Sequence, residues 1–120
     1  MEKLQLEFVN SSAEKSLKKL PKEIGLQFGV DLQRVQEGKN PLSDFKYLTG
    51  IGPGVIELIE NGSPAFRCVY CAKHGDKVFV LHAFTKTTNG VDRAAMETVK
   101  ERYKAMMALV AEDERKKRKK

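Results

Sequence analysis

The N-terminal third of the chain changes from one hydrophobic period to another. Residues 4–9 (LQLEFV) alternate apolar and polar side chains, which is typical of a half-buried strand. Asn10 is followed by two serines, Ser11 and Ser12, and we expect either serine to cap a helix that ends at Pro21. A second helix is predicted from about residue 22 to residue 36. Its apolar positions recur at helical spacing: Ile24, Phe28, Leu32 and Val35.

The middle of the chain returns to the period of a strand, and its end returns to that of a helix. After a breaker cluster at residues 37–41, strands are predicted at 55–60, 65–72 and 77–84, with short turns between them. Helical spacing resumes at about residue 92 and continues to the end. The predicted order is β-α-α-β-β-β-α, an α+β fold in which two N-terminal helices and a C-terminal helix cover a small antiparallel sheet.

The length and charge of the chain indicate one domain with a basic tail. With 120 residues the chain is long enough for a single core, which we assign to residues 1–114. Residues 115–120 are six consecutive Lys and Arg, and they account for the whole net charge of +6. Such a tail attracts polyanions without reading their sequence, or it is simply a solvated helix end.

The distribution of apolar residues also predicts a location. No apolar run approaches the 18 or more residues that a membrane-spanning helix needs. The first residues, MEKLQLE, are charged and alternating, unlike a secretory signal. We therefore expect a cytoplasmic protein.

The two cysteines, Cys68 and Cys71, have the CxxC spacing of a metal or redox motif. A zinc site would need further ligands, and His74 and His82 are the two histidines in the sequence. Because the segment is predicted to be a strand, residues three apart point to opposite faces. We expect two buried or half-buried free thiols; a metal or redox role is the alternative.

The period of two also groups polar residues that could form a site. On the second predicted strand, Arg67 shares a face with Val69 and Cys71, while on the third His82 shares one with Val78, Val80 and Phe84. One register of the strands places Glu57, Arg67 and His82 together, with Lys86 following in phase. Arginine binds phosphate with a planar fork, and histidine ordinarily titrates near neutrality.

Three segments in this order resemble the phage-derived branch of the RelE/HigB toxins. Residues 54–58 (GVIEL), 65–70 (AFRCVY) and 80–87 (VLHAFTKT) are similar to the patterns GVxELR, G-x-(Y/F)RVxY and LLHxFxKKT of that branch, which precede a C-terminal helix. The similarity is good over about residues 50–108, whereas the N-terminal elements agree mainly in their order. Two positions depart from the pattern, Ile59 in place of an arginine and Thr87 in place of a lysine.

The resemblance implies a fold and an activity. Members of this group fold as a small antiparallel sheet flanked by helices, and many cut mRNA at the ribosome without a metal or other cofactor. Carried over by motif, Arg67 would contact the scissile phosphate. His82 and Lys86 would assist proton transfer or bind phosphate, and Glu57 would act as a base or orient Arg67.

The resemblance also implies partners and leaves alternatives open. A helix-turn-helix antitoxin of the HigA kind would neutralise the toxin, and promoter DNA would be bound only through that antitoxin. The departures at Ile59 and Thr87 motivate a second hypothesis, a non-catalytic toxin of the same fold such as a ParE-like gyrase inhibitor. A third is a degenerate relative that only binds its partner. Without the resemblance, Arg67 would be interpreted as an ion-pair partner of Glu57, and His82 as a structural histidine.

Overall fold

A computed structural model describes residues 3–118 of the chain and contains five strands and three helices. The predicted elements are all present, and one further strand joins them. In chain order the elements are β1 (Gln5–Phe8), α1 (Ser11–Lys18), α2 (Lys22–Gln36), β2 (Asp44–Tyr47), β3 (Val55–Glu60), β4 (Ala65–Cys71), β5 (Lys77–Lys86) and α3 (Arg93–Arg118).

The five strands form one mixed sheet in the order β1-β5-β4-β3-β2. The three central strands form the predicted antiparallel meander, whereas β1 pairs with β5 in parallel, Gln5 opposite Lys77. The sequence did not predict β2, an exposed edge strand of four residues, because DFKY is too short and too polar to show a buried face. The α+β class is confirmed, with a parallel strand and an extra edge strand added to the predicted sheet.

Each face of the sheet is covered by its own hydrophobic core. The α2-side core includes Phe28 and Leu32 of that helix and Tyr70 of the sheet. The α3-side core includes Val99 and Met106. A large share of the apolar surface of this small domain is therefore buried in two layers of side chains, the main stabilising contribution to such a fold.

A bulge in the ladder between β4 and β5 changes which residues share a face. Val69 is opposite His82, but Tyr70 is opposite Val80, so Leu81 has no partner across the ladder. Val80 consequently belongs to the α2-side core, while Phe84 packs against the α3-side core. The prediction that Val78, Val80, His82 and Phe84 share one face is wrong for this reason.

The helix ends differ in detail from the prediction. Asn10, rather than Ser11 or Ser12, caps α1: its side-chain Oδ1 accepts a hydrogen bond from the Ala13 N–H at 2.8 Å. Helix α3 continues through the described part of the basic tail to Arg118, while Lys119 and Lys120 lie outside the described residues. Between residues 3 and 118, no helix is both long and apolar enough to cross a bilayer.

The two cysteines are free and buried, as predicted. Cys68 lies in the α2-side core and Cys71 in the α3-side core, so their side chains are on opposite faces of β4. Burial raises the pKa of the Cys68 thiol to about 12, which leaves it protonated and unreactive at neutral pH.

Candidate functional site

A buried ion pair lies on the α3-side face of the sheet, where β3 and β4 approach their connecting turn. Glu57 is opposite Val69 and Arg67 is opposite Ile59, so the two charged side chains are diagonal neighbours on one face. The Nε atom of Arg67 is 3.8 Å from Oε1 of Glu57, and both residues are buried. The predicted proximity of these two residues is present in the structure.

The rest of the Arg67 guanidinium is held by the β3–β4 turn. Nη1 donates to the backbone carbonyls of Phe66 at 3.0 Å and Glu60 at 3.4 Å, and Nη2 donates to Oδ1 of Asn61 at 3.1 Å. The side chain is only 10% exposed. Among these partners Asn61 is the exposed, uncharged side chain, so its bond to Nη2 is the one that a ligand anion could most easily replace.

Two lysines near the buried pair influence the pKa of its carboxyl group. Lys46, on β2, places Nζ 3.7 Å from Oε1 of Glu57, and its side chain is 62% exposed. Burial raises the pKa of Glu57, while the positive charges of Lys46, Arg67 and Lys86 partly oppose that rise. The site therefore contains one buried carboxylate and three positively charged side chains that act on it.

His82 lies further along β5 and has a partner that the sequence did not suggest. Nη1 of Arg102, on α3, is 3.0 Å from Nδ1 of His82 and also donates to the Leu81 carbonyl at 3.1 Å. Because a guanidinium can only donate, Nδ1 must accept, and the imidazole proton is on Nε2. Burial and the charge of Arg102 lower the pKa of His82 to about 4, so the ring is neutral at physiological pH.

Phe84 lies next to both the Glu57–Arg67 pair and the His82–Arg102 pair. Its ring stacks on that of His82, with centroids 5.2 Å apart and an interplanar angle of 21°. Phe84 is also opposite Arg67 in the β4–β5 ladder. The four residues predicted from the sequence thus share one face of the sheet. Glu57 and Arg67 are in direct contact, the positive charge of Lys86 acts on Glu57, and His82 lies two residues before Phe84, which is opposite Arg67.

Two members of the site were missed by sequence reasoning. Lys46 belongs to the unpredicted strand β2, and Arg102 lies on α3, 20 residues beyond His82 in the chain. The helical phase of Arg102 gave a weak signal, because it lies three residues after the buried Val99 and four before the buried Met106. Its contact with His82 depends on the packing of α3 against the sheet.

We expect Arg102→Gln to raise the pKa of His82, because the variant removes a positive charge beside the ring. The measurement is a pH titration of the His82 ring nitrogens by two-dimensional ¹H–¹⁵N NMR, which also reports the tautomer. In the wild type the Nε2–H form should persist down to about pH 4. Arg93→Gln, at an exposed position on the same helix, should leave the titration unchanged. A His82 pKa equal in wild type and Arg102→Gln would contradict the assignment.

The lowered pKa of His82 also predicts how the stability of the fold changes with pH. The folded-state pKa of His82 lies below the ordinary value, so the unfolded chain binds this proton more readily. The contribution of His82 to the free energy of unfolding is therefore present above about pH 6.5 and is lost as the pH falls toward 4.

Within residues 3–118, no group of three or more His, Cys, Asp or Glu side chains is placed to hold a metal ion.

Known proteins are similar to this chain at the level of a sequence family and of a solved structure. The profile of the family described as "Phage derived protein Gp49-like (DUF891)" matches residues 15–104. Among solved structures, the chain is similar to one in the crystal structure of the toxin–antitoxin complex RelBE2 from Mycobacterium tuberculosis. That similarity has 21% identity and a TM-score of 0.46, and it covers 73% of this chain and 97% of the other. No curated protein sequence matches.

The family profile spans three quarters of the chain, so the protein belongs to the Gp49-like family of phage-derived proteins. This membership confirms the phage-derived family branch that the three strand motifs predict.

Proposed function

We propose that this protein is the toxin of a toxin–antitoxin system and that it cuts mRNA at the ribosome. The observation that carries the proposal is the cluster of Lys46, Arg67 and Lys86 around the buried Glu57 carboxylate. Glu57, Arg67 and Lys86 lie on the strands whose motifs resemble the RelE/HigB toxins. A surface of this charge suits a substrate whose reacting group is an anionic phosphodiester.

In the proposed reaction the ribose 2′-hydroxyl attacks the adjacent phosphorus. The bond from the 2′-oxygen to phosphorus forms, the bond from phosphorus to the 5′-oxygen breaks, and the products are a cyclic 2′,3′-phosphate and a 5′-hydroxyl. The 2′-hydroxyl gives up its proton, and the leaving 5′-oxygen takes one. Negative charge accumulates on the phosphate oxygens at the transition state, and fixed cations stabilise it.

The geometry supports a division of roles among the residues. Arg67 would contact the phosphate through Nη2 in place of Asn61, and Lys86 would add a second positive charge. Glu57 is buried and paired with Arg67, so its role here is to orient the guanidinium rather than to remove a proton. His82, neutral and protonated on Nε2, would act as a hydrogen-bond donor toward the RNA.

The expected partner is an antitoxin of the helix-turn-helix, HigA-like kind, which would also carry any binding to promoter DNA. Action on translating ribosomes would place the protein in the cytoplasm. These two statements rest on the resemblance of the strand motifs.

A cell-free translation assay tests the proposal directly. The purified chain is added to a reaction that translates a reporter mRNA, and the 5′ ends of the fragments are mapped by primer extension. We expect new ends within the reading frame, absent when translation is blocked at initiation. Intact mRNA in translating reactions would contradict the nuclease.

A non-catalytic, ParE-like toxin is the second candidate. The observation in its favour is that most donors of Arg67 already bond within the protein, while the matching positions 59 and 87 are Ile and Thr. Inhibition of DNA supercoiling by purified gyrase, together with intact mRNA, would select this candidate. If neither effect is observed, the protein is a relative that only binds its partner.

A further inference from the structure

A second cationic surface lies beside the proposed site, in a cleft between α1, β5 and α3. The cleft has a volume of about 460 Å³. Its polar lining includes Ser12, Lys15, Lys19, His82, Thr85 and Arg102. Within the part of the chain that the structure describes, the cleft is lined by three positively charged side chains and by no carboxylate.

The two lysines of this cleft are placed there by the phase of α1. Ser12, Lys15, Ser16 and Lys19 follow one another at intervals of three, one and three residues, and they share one side of the helix. Lys18 lies on another side and pairs with Glu14 at 3.3 Å. Lys15 and Lys19 form no ion pair with any residue between 3 and 118, so their charge is not neutralised locally.

One aromatic side chain lies both in the lining of the cleft and opposite Arg67. Phe84 lines the cleft, stacks on His82 and is opposite Arg67 across the ladder. Lys86 follows two residues later on the same strand. Positions 82 and 86 are about 13 Å apart along an extended strand, which is longer than the spacing of a single nucleotide.

We propose that this cleft binds a second backbone phosphate of the RNA strand, more than one nucleotide away from the phosphate that Arg67 would hold, with the Phe84–His82 pair between them as a surface for a base. Lys15 and Lys19 contribute the positive charge, and Arg102 contributes charge while it fixes the His82 ring. Aromatic rings between cationic positions are a common arrangement for single-stranded nucleic acid. The inference rests on the proposed function for the identity of its ligand.

A binding experiment with an uncleavable ligand tests the cleft apart from catalysis. The probe is a fluorescent 2′-O-methyl RNA dodecamer, which lacks the nucleophilic hydroxyl, and its affinity for the full chain is measured by anisotropy between 50 and 300 mM KCl. The variant is Lys15→Ala/Lys19→Ala. The matched control is Lys18→Ala/Lys22→Ala, which removes the same charge from neighbouring exposed positions.

We expect the cleft variant to bind about tenfold more weakly at 0.1 M salt, and its slope of log affinity against log salt to be smaller by about 0.7, the value for one phosphate of a single strand. The control should keep the wild-type slope and lose less than twofold in affinity. Equal losses in the two variants, or no binding by the wild type, would overturn the cleft assignment.

The translation assay separates this outcome from failure of the proposed function. If the wild type cuts mRNA while the two double variants bind RNA alike, the cleft assignment fails and the nuclease stands. If binding depends on Lys15 and Lys19 but no mRNA is cut, the cleft is supported and the nuclease fails.

Discussion

Arg67→Ala is expected to reduce mRNA cleavage by about 10²–10³-fold, the usual effect of removing one preorganised donor from a charged transition state. The guanidinium is fixed before substrate arrives by Glu57, by two backbone carbonyls and by Asn61, so little reorganisation is needed when a phosphate replaces the Asn61 oxygen. The measurement is the rate of reporter cleavage under single-turnover conditions. Because Glu57 loses its buried partner, the free energy of unfolding of this variant must be measured as well.

Two further variants distinguish binding from folding at this position. Asn61→Ala removes a partner of Arg67 while it keeps the guanidinium, and it should cleave at nearly the wild-type rate. Arg67→Lys keeps the charge but loses the planar fork, so an intermediate rate is expected. Full cleavage by a correctly folded Arg67→Ala protein would show that the Glu57–Arg67 pair is purely structural.

Asp31→Ala should lower the free energy of unfolding by about 3 kcal/mol, since hydrogen bonds to a buried charged group are among the costliest to lose. Asp31 is 1% exposed. Its Oδ1 accepts from the backbone N–H groups of Leu42 at 2.8 Å and Ser43 at 3.1 Å, and its Oδ2 accepts from the Ser43 hydroxyl at 2.5 Å. The carboxylate therefore ties α2 to the loop that leads into β2 and its Lys46.

Urea denaturation followed by circular dichroism measures this loss. Asp44→Ala, an exposed aspartate one residue after that loop, is the control and should change stability by less than 0.5 kcal/mol in the manner of most surface substitutions. An Asp31→Ala protein as stable as Asp44→Ala would mean that the loop is held by other contacts.

Most of the fold could be predicted because its elements carry strong periods. Helix α2 and strand β3 have the predicted bounds, since the apolar residues of α2 recur at helical spacing and breakers or turns flank both segments. Strand β2 could not be predicted, because an exposed edge strand gains its structure from pairing with Val55–Glu60 rather than from its own burial. The bulge at Leu81 was also missed, because alternation along one strand does not show where an extra residue is inserted.

The candidate site was predictable where the motifs lie on neighbouring strands. Glu57 and Arg67 meet because adjacent antiparallel strands bring residues of the same phase together, and here the sequence signal was sufficient. The bulge places His82 on the same face as Glu57 and Arg67. The predicted group of residues is therefore present, although the alternation along β5 differs from the predicted one. Arg102 reaches the site through the packing of α3, and Lys46 through the pairing of β2 with β3, and no local pattern specifies the side chain that either one contacts.

The parallel pairing of β1 with β5 constrains the order in which this chain can fold during synthesis. Gln5 pairs with Lys77, so the N-terminal strand has no place in the sheet until more than half of the chain has been made. Contacts so distant in sequence form slowly, because a long loop must close before they stabilise anything. Arg102 is added later still. A ribosome making this protein therefore completes the candidate site only near the end of translation, when α3 brings Arg102 to His82.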